Sequence, residues 1–334
     1  MPYPLHRPKY QPRPARTRSR GGRTAVSGVV TAAATALLVA GALHATPATA
    51  APLASAGQAA SRTGSSSPSP SFAGSHASGF AASVRAEGQA RVTAAVLDLD
   101  ARGGKTAVYG EDAPYDTASI IKVDILATAL LQAEDSGHPL TTAKRAQAKA
   151  MIEHSDNASA NALWRHIGRA DGLEAANKRL GLKATRGGPD ARWGLTRTTA
   201  SDQIRLLRAL FDAGPADGTA GGSAAKPGHG PALGTTSRAY VRKLMGQVAD
   251  EQSWGVSAAG GTHGSGHDPK AALKNGWLQR NSTGLWDINS VGRITSGGHH
   301  YLVAVLSDGN KSMKDGVALV ERAARTAVSS TNRH

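Results

Sequence analysis

Apolar positions recur along the chain with two different periods, and the order of the two patterns outlines the architecture. VTAAVLDLD, Val92 to Asp100, and KTAVYG, Lys105 to Gly110, read as strands joined by the turn ARGG, so a hairpin is expected. Helical spacing then takes over. It runs through SIIKVDILATALLQAE from Ser119, TTAKRAQAKAMIEH from Thr141, NASANALWRHIG from Asn157, and GLEAANKRLG, which Gly181 stops. TTASDQIRLLRALFDAG predicts a further helix, opened by Thr198 or Thr199 and closed by Gly214, and SRAYVRKLMGQV another. Strand patterns return in ALKNGWLQ, LWDINSVGRI and YLVAVLSDG, and the amphipathic SMKDGVALVERAARTAV closes the series. Strands at both ends with helices between them predict an α+β domain over residues 79–329. Its antiparallel sheet is built from N- and C-terminal strands, flanked by helices, with an all-helical subdomain inserted.

Elsewhere neither period holds. Residues 51–78 are mostly Ala, Ser, Gly and Pro, which bury little, so a disordered linker is expected there. Residues 214–234 and 258–270 read as flexible loops. Residues 1–24 carry seven Lys/Arg and no acid; Ala25 to Ala45 is uncharged, and Ala48 and Ala50 precede Ala51. That order reads as a signal peptide over residues 1–50, cut after Ala50, with an uncleaved anchor as the alternative. A secreted, extracytoplasmic protein is expected, with no integral membrane span after signal removal. The separated arginines of RSRGGR favour the general export route over the twin-arginine one.

The formal charge of +15 shrinks once the leader is set apart. Removing its seven cations leaves 32 Lys/Arg against 24 Asp/Glu, a net +8 with few aromatics. Nucleic acid is therefore not an expected partner. The absence of cysteine excludes disulfides, zinc–cysteine sites and thiol nucleophiles. His229, His263, His267, His299 and His300 lie in or near Gly-rich stretches without an evident ordered carboxylate partner, so no metal is assigned. No cofactor is called for, and a monomer is expected.

Three short stretches carry candidate chemistry. Ser119 precedes an apolar run and reads either as a helix cap or as a nucleophile. In the second case Lys122, one turn later on the same face, reaches its hydroxyl. An amine among apolar neighbours favours its neutral, basic form. SDN, Ser155 to Asn157, either caps the next helix or turns Ser155 and Asn157 together into a cleft. KNG, Lys274 to Gly276, either marks a bulge or sets a cation beside a backbone that a substrate can approach closely.

The order S-x-x-K, S-D-N, K-x-G resembles the motif trio of class A β-lactamases and penicillin-binding proteins, over roughly Gly79 to Ser329. The resemblance implies a β-lactamase-like fold and an exported serine hydrolase. The expected substrates are β-lactams or cell-wall peptides, with a D-alanyl peptidase or esterase, or a non-catalytic wall-binding protein, as alternatives. It implies Ser119 as acylated nucleophile, Lys122 as base or proton relay and Ser155 as proton shuttle. Asn157, Lys274, Asn275 and Gly276 would bind substrate, and the N–H groups of Ser119 and Trp277 would form the oxyanion hole. Asn161 matches a residue that supports the following loop. Three departures stand out. The loop LGLKATRGGPDARWGLTRTTASD lacks the glutamate that activates the hydrolytic water, leaving only Asp190 as an acid before the TT pair. Asn275 replaces Thr or Ser. Trp277 replaces a small residue and is expected to narrow the cleft. Slow deacylation follows as an expectation.

Overall fold

A computed structural model describes residues 80–101, 103–212, 232–261 and 271–331. The expected signal peptide, the linker and most of the two Gly-rich loops, with Gly214, His229, His263 and His267, lie outside the described residues. Strand β1 (Arg91–Asp98) pairs antiparallel with β2 (Ala107–Tyr109), which is the expected hairpin. β3 (Tyr115–Asp116) follows, then a 3-10 turn (Ala118–Ile120) that runs into helix α1 (Ile121–Asp135). Helices α2 (Thr142–Glu153), α3 (Asn157–His166) and α4 (Arg169–Leu180) come next. β4 (Arg197–Thr198), α5 (Ala200–Phe211) and α6 (Thr235–Met245) lead to strands β5 (Ala271–Gln279), β6 (Trp286–Ser296) and β7 (His299–Asn310), and helix α7 (Met313–Thr331) ends the described chain.

Both chain ends contribute to one sheet, in the order β2-β1-β7-β6-β5, so β7 crosses back to pair with β1. Its two faces are both covered. Leu302, Ala304 and Leu306 of β7 join the core shared with α1 to α6, while Tyr301, Val303 and Val305 pack toward α7. That is why YLVAVL reads as an unbroken apolar run instead of an alternation. Among the described residues, no helix is long and apolar enough to cross a membrane.

Helix α1 is buried continuously from Ile121 to Leu131, so it serves as the central post of the helical layer. Truncating a fully buried post residue such as Leu126 to alanine costs about 2–5 kcal/mol. Helix ends follow short-range chemistry. Thr199 caps α5 by accepting from Asp202 N, and Asp156 caps α3 by accepting from Ser159 N. Gly181 closes α4 at φ +74°, a left-handed conformation that costs glycine little.

Candidate active site

Ser119 sits in the 3-10 turn where the helical layer meets the sheet. The residue before it, Ala118, has φ +46°, a conformation that strains any residue with a side chain. The strain, of order 1–3 kcal/mol, is held by ties on both sides. β3 pairs with β4, Thr117 N–H donates to Thr196 O at 2.8 Å, and the Asn289 amide donates to Asp116 O and Thr117 O at 2.9 and 3.1 Å. From the sheet side, β5 passes directly across the turn. A Cβ on Gly276 would stand 2.7 Å from Ser119 N and 2.8 Å from Ile120 N, so only glycine permits this approach.

Lys122 is buried, and its ammonium points at the SDN corner. Nζ donates to Ser155 O at 2.6 Å, Ser155 Oγ at 3.0 Å and Asn157 Oδ1 at 2.8 Å. No hydrogen bond joins it to Ser119 Oγ. The expected direct contact between these two side chains is absent, and the amine is held by Ser155 and Asn157 instead. Burial lowers the Lys122 pKa to about 7, with Asp156 opposing. Ser155 has φ +54°, so the corner is a left-handed turn and not the extended segment that would aim Ser155 and Asn157 alike. Both still converge, because both meet the same amine. Asn157 is exposed, and its Nδ2 has no hydrogen bond among the described residues.

Lys274 reaches the same hydroxyl from the sheet. Its Nζ lies 3.0 Å from Ser155 Oγ and 3.0 Å from Asn275 O, with Gln252 Oε1 at 3.4 Å. Burial holds its pKa well below the ordinary lysine value, and the nearby Lys122 acts in the same direction. The structure thus brings Ser119, Lys122, Ser155, Asn157, Lys274 and Gly276 to one junction.

One sequence expectation is corrected by strand alternation. Lys274 and Gly276 face the junction, so Asn275 and Trp277 face the opposite side of β5. Asn275 is fully buried, and its Nδ2 donates to Gln252 O and Trp254 O at 2.9 and 2.8 Å. Its side chain fixes the neighbouring segment and has no amide hydrogen left for a substrate. The Trp277 ring is half-buried; it packs against Trp254, with centroids 6.1 Å apart, and against the core under α7. Asp190 is also displaced from the chemistry. Its carboxylate is 85% exposed, with Arg192 3.9 Å away, and it makes no hydrogen bond to Ser119, Lys122 or Ser155. The histidine reading needs amending as well, because His299 Nδ1 lies 2.9 Å from Asp98 Oδ2 and His300 Nδ1 3.0 Å from Asp100 Oδ2. These ordered carboxylate partners link the end of β1 to the start of β7; ligand atoms of Asp98, Asp100 and His299 lie within 4.8 Å of one another.

Sequence reasoning missed several neighbours. Trp193 donates from Nε1 to Asn161 Oδ1 at 2.7 Å and lays its ring 4.8 Å from Lys122 Nζ. Arg280 binds Asp116 and lies 2.6 Å from Asp287 Oδ2, joining the segment before Ser119 to the end of β5. Only the tryptophan carried a signal, as the one aromatic in the loop LGLKATRGGPDARWGLTRTTASD.

A helical layer on a five-stranded antiparallel sheet, with a serine and two buried lysines at the junction, defines a class that the comparisons make specific. The Beta-lactamase enzyme family is matched over residues 138–331, more than half of the chain, and the chain belongs to that family. The match begins after Ser119 and Lys122, so their place in the site rests on the motif and on the geometry above. No curated protein matches at a significant level. Among solved structures the fold is similar to TLA-3 extended-spectrum beta-lactamase, at 16% identity and TM-score 0.61, covering 77% of this chain and 98% of that one. It is also similar to PBP-A, at 17% identity and TM-score 0.60, over 78% and 97%. A class A beta-lactamase from Bacteroides cellulosilyticus DSM 14838 gives 17% identity and TM-score 0.59, over 78% and 98%.

Proposed function

We propose that this chain is an exported serine hydrolase, with a hydrolase domain over residues 79–329, that forms an acyl-enzyme through Ser119 and releases it slowly. The observation that carries the reading is the shared hydroxyl of Ser155, 3.0 Å from both Lys122 Nζ and Lys274 Nζ. Lys122, in its neutral form, takes the Ser119 proton as the hydroxyl oxygen attacks the acyl carbon. The proton passes through Ser155 to the leaving nitrogen. Lys274 keeps local potential positive for an anionic substrate. The N–H groups of Ser119 and Trp277 receive the developing oxyanion, and Asn157 Nδ2 donates to the substrate's amide carbonyl. Substrates are β-lactams or related acyl and peptide amides.

Slow release is supported by the acid inventory. Among the described residues, no carboxylate hydrogen-bonds to Lys122, Ser155 or Asn157, and Asp190 faces solvent. A positioned base is what water needs to attack the acyl carbonyl. The same observation favours a second reading, a D-alanyl peptidase or esterase on this core. One PBP-A structure, of a mutant, is an acyl-enzyme complex with penicillin G. Export with cleavage after Ala50 belongs to the proposal, and N-terminal sequencing of the secreted protein tests it.

The deciding experiment is stopped-flow hydrolysis of a chromogenic cephalosporin, with intact mass of the protein. A burst of about one equivalent, then slow turnover with a stable adduct, is expected when the second covalent step limits. Fast, burst-free turnover overturns slow release. Absence of any adduct and any turnover favours a non-catalytic wall-binding protein.

A further inference from the structure

We propose that Asp98, Asp100 and His299 form a binding site for one divalent cation of the Zn²⁺ class, which clamps the end of β1 to the start of β7. The site shares no residue with the Ser119 junction and does not depend on how that junction is read. Strand pairing brings the three side chains together. Asp98 stands opposite Tyr301, and Leu99 N donates to His300 O at 2.8 Å, which carries the ladder one step past β1. Donor atoms of Asp98, Asp100 and His299 lie within 4.8 Å of one another. Ligands of Zn²⁺ sit about 2.0–2.2 Å from the ion, hence no more than about 4.4 Å apart. Small rotations of Asp100 and His299, both exposed, close the difference. Two carboxylates alone would be an ordinary solvated surface. The imidazole changes the donor set, because mixed nitrogen and oxygen ligands suit Zn²⁺ and neighbouring transition ions, whereas Mg²⁺ and Ca²⁺ take oxygen.

Each ligand is oriented by a second contact that leaves a donor atom for the ion. Asp100 N donates to Asp98 Oδ1 at 2.8 Å, so Asp98 Oδ2 is the oxygen turned to His299. His300 N donates to Asp100 Oδ2 at 2.6 Å, and His300 Nδ1 lies 3.0 Å from the same oxygen, which leaves Asp100 Oδ1. The His299 ring stacks on Tyr301, with centroids 6.0 Å apart and planes 17° from parallel. Outer contacts of this kind fix the direction of metal ligands and raise affinity. His299 Nδ1 and Asp98 Oδ2, 2.9 Å apart, already stand close to the spacing of two ligands on one ion. A cation seated against both takes the place of the proton between them, which leaves to solvent or moves to Nε2. Solvent completes the coordination. Because β1 joins the rest of the sheet through β7, an ion bridging Asp98 and Asp100 to His299 spans that join. Binding to the folded state alone then stabilises it in step with ion concentration.

The test titrates the wild-type chain, purified without an affinity tag and stripped with EDTA, with Zn²⁺ in a calorimeter at neutral pH, and melts it with and without the ion. Binding of Zn²⁺ and a rise in Tm are expected, with no rise at the same concentration of Mg²⁺ or Ca²⁺. Asp98→Asn and His299→Ala should each weaken binding at least about tenfold and abolish the rise in Tm, since loss of even an outer partner of a metal ligand costs about 10–100-fold. His138→Ala, which removes a ring that bonds within its own turn, should bind as the wild type does. If His299→Ala does not fold, His299→Gln carries the same comparison. Zn²⁺ binding undiminished in Asp98→Asn and the His299 variant places the ion on other histidines and overturns the proposal. A wild type that neither binds Zn²⁺ nor gains Tm overturns it as well.

Discussion

Lys122 and Lys274 converge on a single oxygen, each with Nζ 3.0 Å from Ser155 Oγ. A hydroxyl offers two lone pairs and one proton. With both lysines donating, the Ser155 proton is free for another acceptor; with Lys122 neutral, the hydroxyl can donate to it instead. The pair therefore sets up a proton relay that switches on the charge of one buried amine.

Removing the nucleophile separates labelling from adsorption. Ser119→Ala should abolish covalent labelling by a fluorescent penicillin. Lys122→Ala should slow it by about 10²–10⁴-fold, the effect of losing a positioned proton acceptor. Gel fluorescence and intact mass check both, and labelling that survives both changes points to another nucleophile.

The acylation rate should depend on pH through Lys122. Burial depresses this lysine to about 7, so the amine is charged and ineffective below that value and neutral above it. The second-order rate of labelling should rise with pH and level off above about 7. A flat profile from pH 5.5 to 9 would exclude Lys122 as the base, those limits lying about 1.5–2 units on either side of its pKa.

Gly276→Ala should damage chemistry more than stability. The new methyl would meet Ser119 N at 2.7 Å and Thr117 O at 2.8 Å, pushing the nucleophile's turn away from β5. Losing an aligned oxyanion donor costs about 10²–10³-fold. Labelling kinetics beside a thermal melt distinguish this from unfolding.

Arg280→Met should loosen the same junction. Arg280 lies between Asp116 and Asp287, whose side chains are only 7% and 4% exposed. Removing the cation leaves two nearly buried carboxylates undercompensated, although Arg197 still lies 3.3 Å from Asp116. Breaking such a pair costs about 3 kcal/mol, a Tm fall of about 6–12 °C by calorimetry. A Tm unchanged from wild type would show the network to be dispensable.

Asp124 makes a different pH prediction. It is fully buried in α1, and burial, reinforced by the charge of Asp202, pushes its carboxyl up to about 8. The folded state then keeps a proton that the unfolded chain releases above about pH 4. Its contribution to stability is full below that pH and is lost as pH rises through about 8. Asp124→Asn, close to isosteric with the protonated acid, should flatten the fall in Tm between pH 5 and 9. Parallel profiles for the two proteins would refute this assignment.

The helices, the strands and their order were legible in the sequence because short-range physics writes them there. Thr199 and Asp156 cap within three residues, Gly181 stops α4 by its own φ, and apolar spacing marks the buried faces. The S-x-x-K, SDN and K-x-G stretches were legible for the same reason, as local motifs. Tertiary structure decided which atoms meet. Lys122 finds Ser155 across 33 residues, Lys274 finds it across 119, and Arg280 finds Asp116 across 164. It also decided that the Asn275 amide is spent on Gln252 O and Trp254 O, since the pairing of β5 with β6 fixes which side of the pleat each side chain takes. Trp193 depends on tertiary structure most of all. Nothing in its local sequence aims an indole at Lys122, and only the straps from Thr196 to Thr117 and from Asp190 to Trp164 carry the loop to that place.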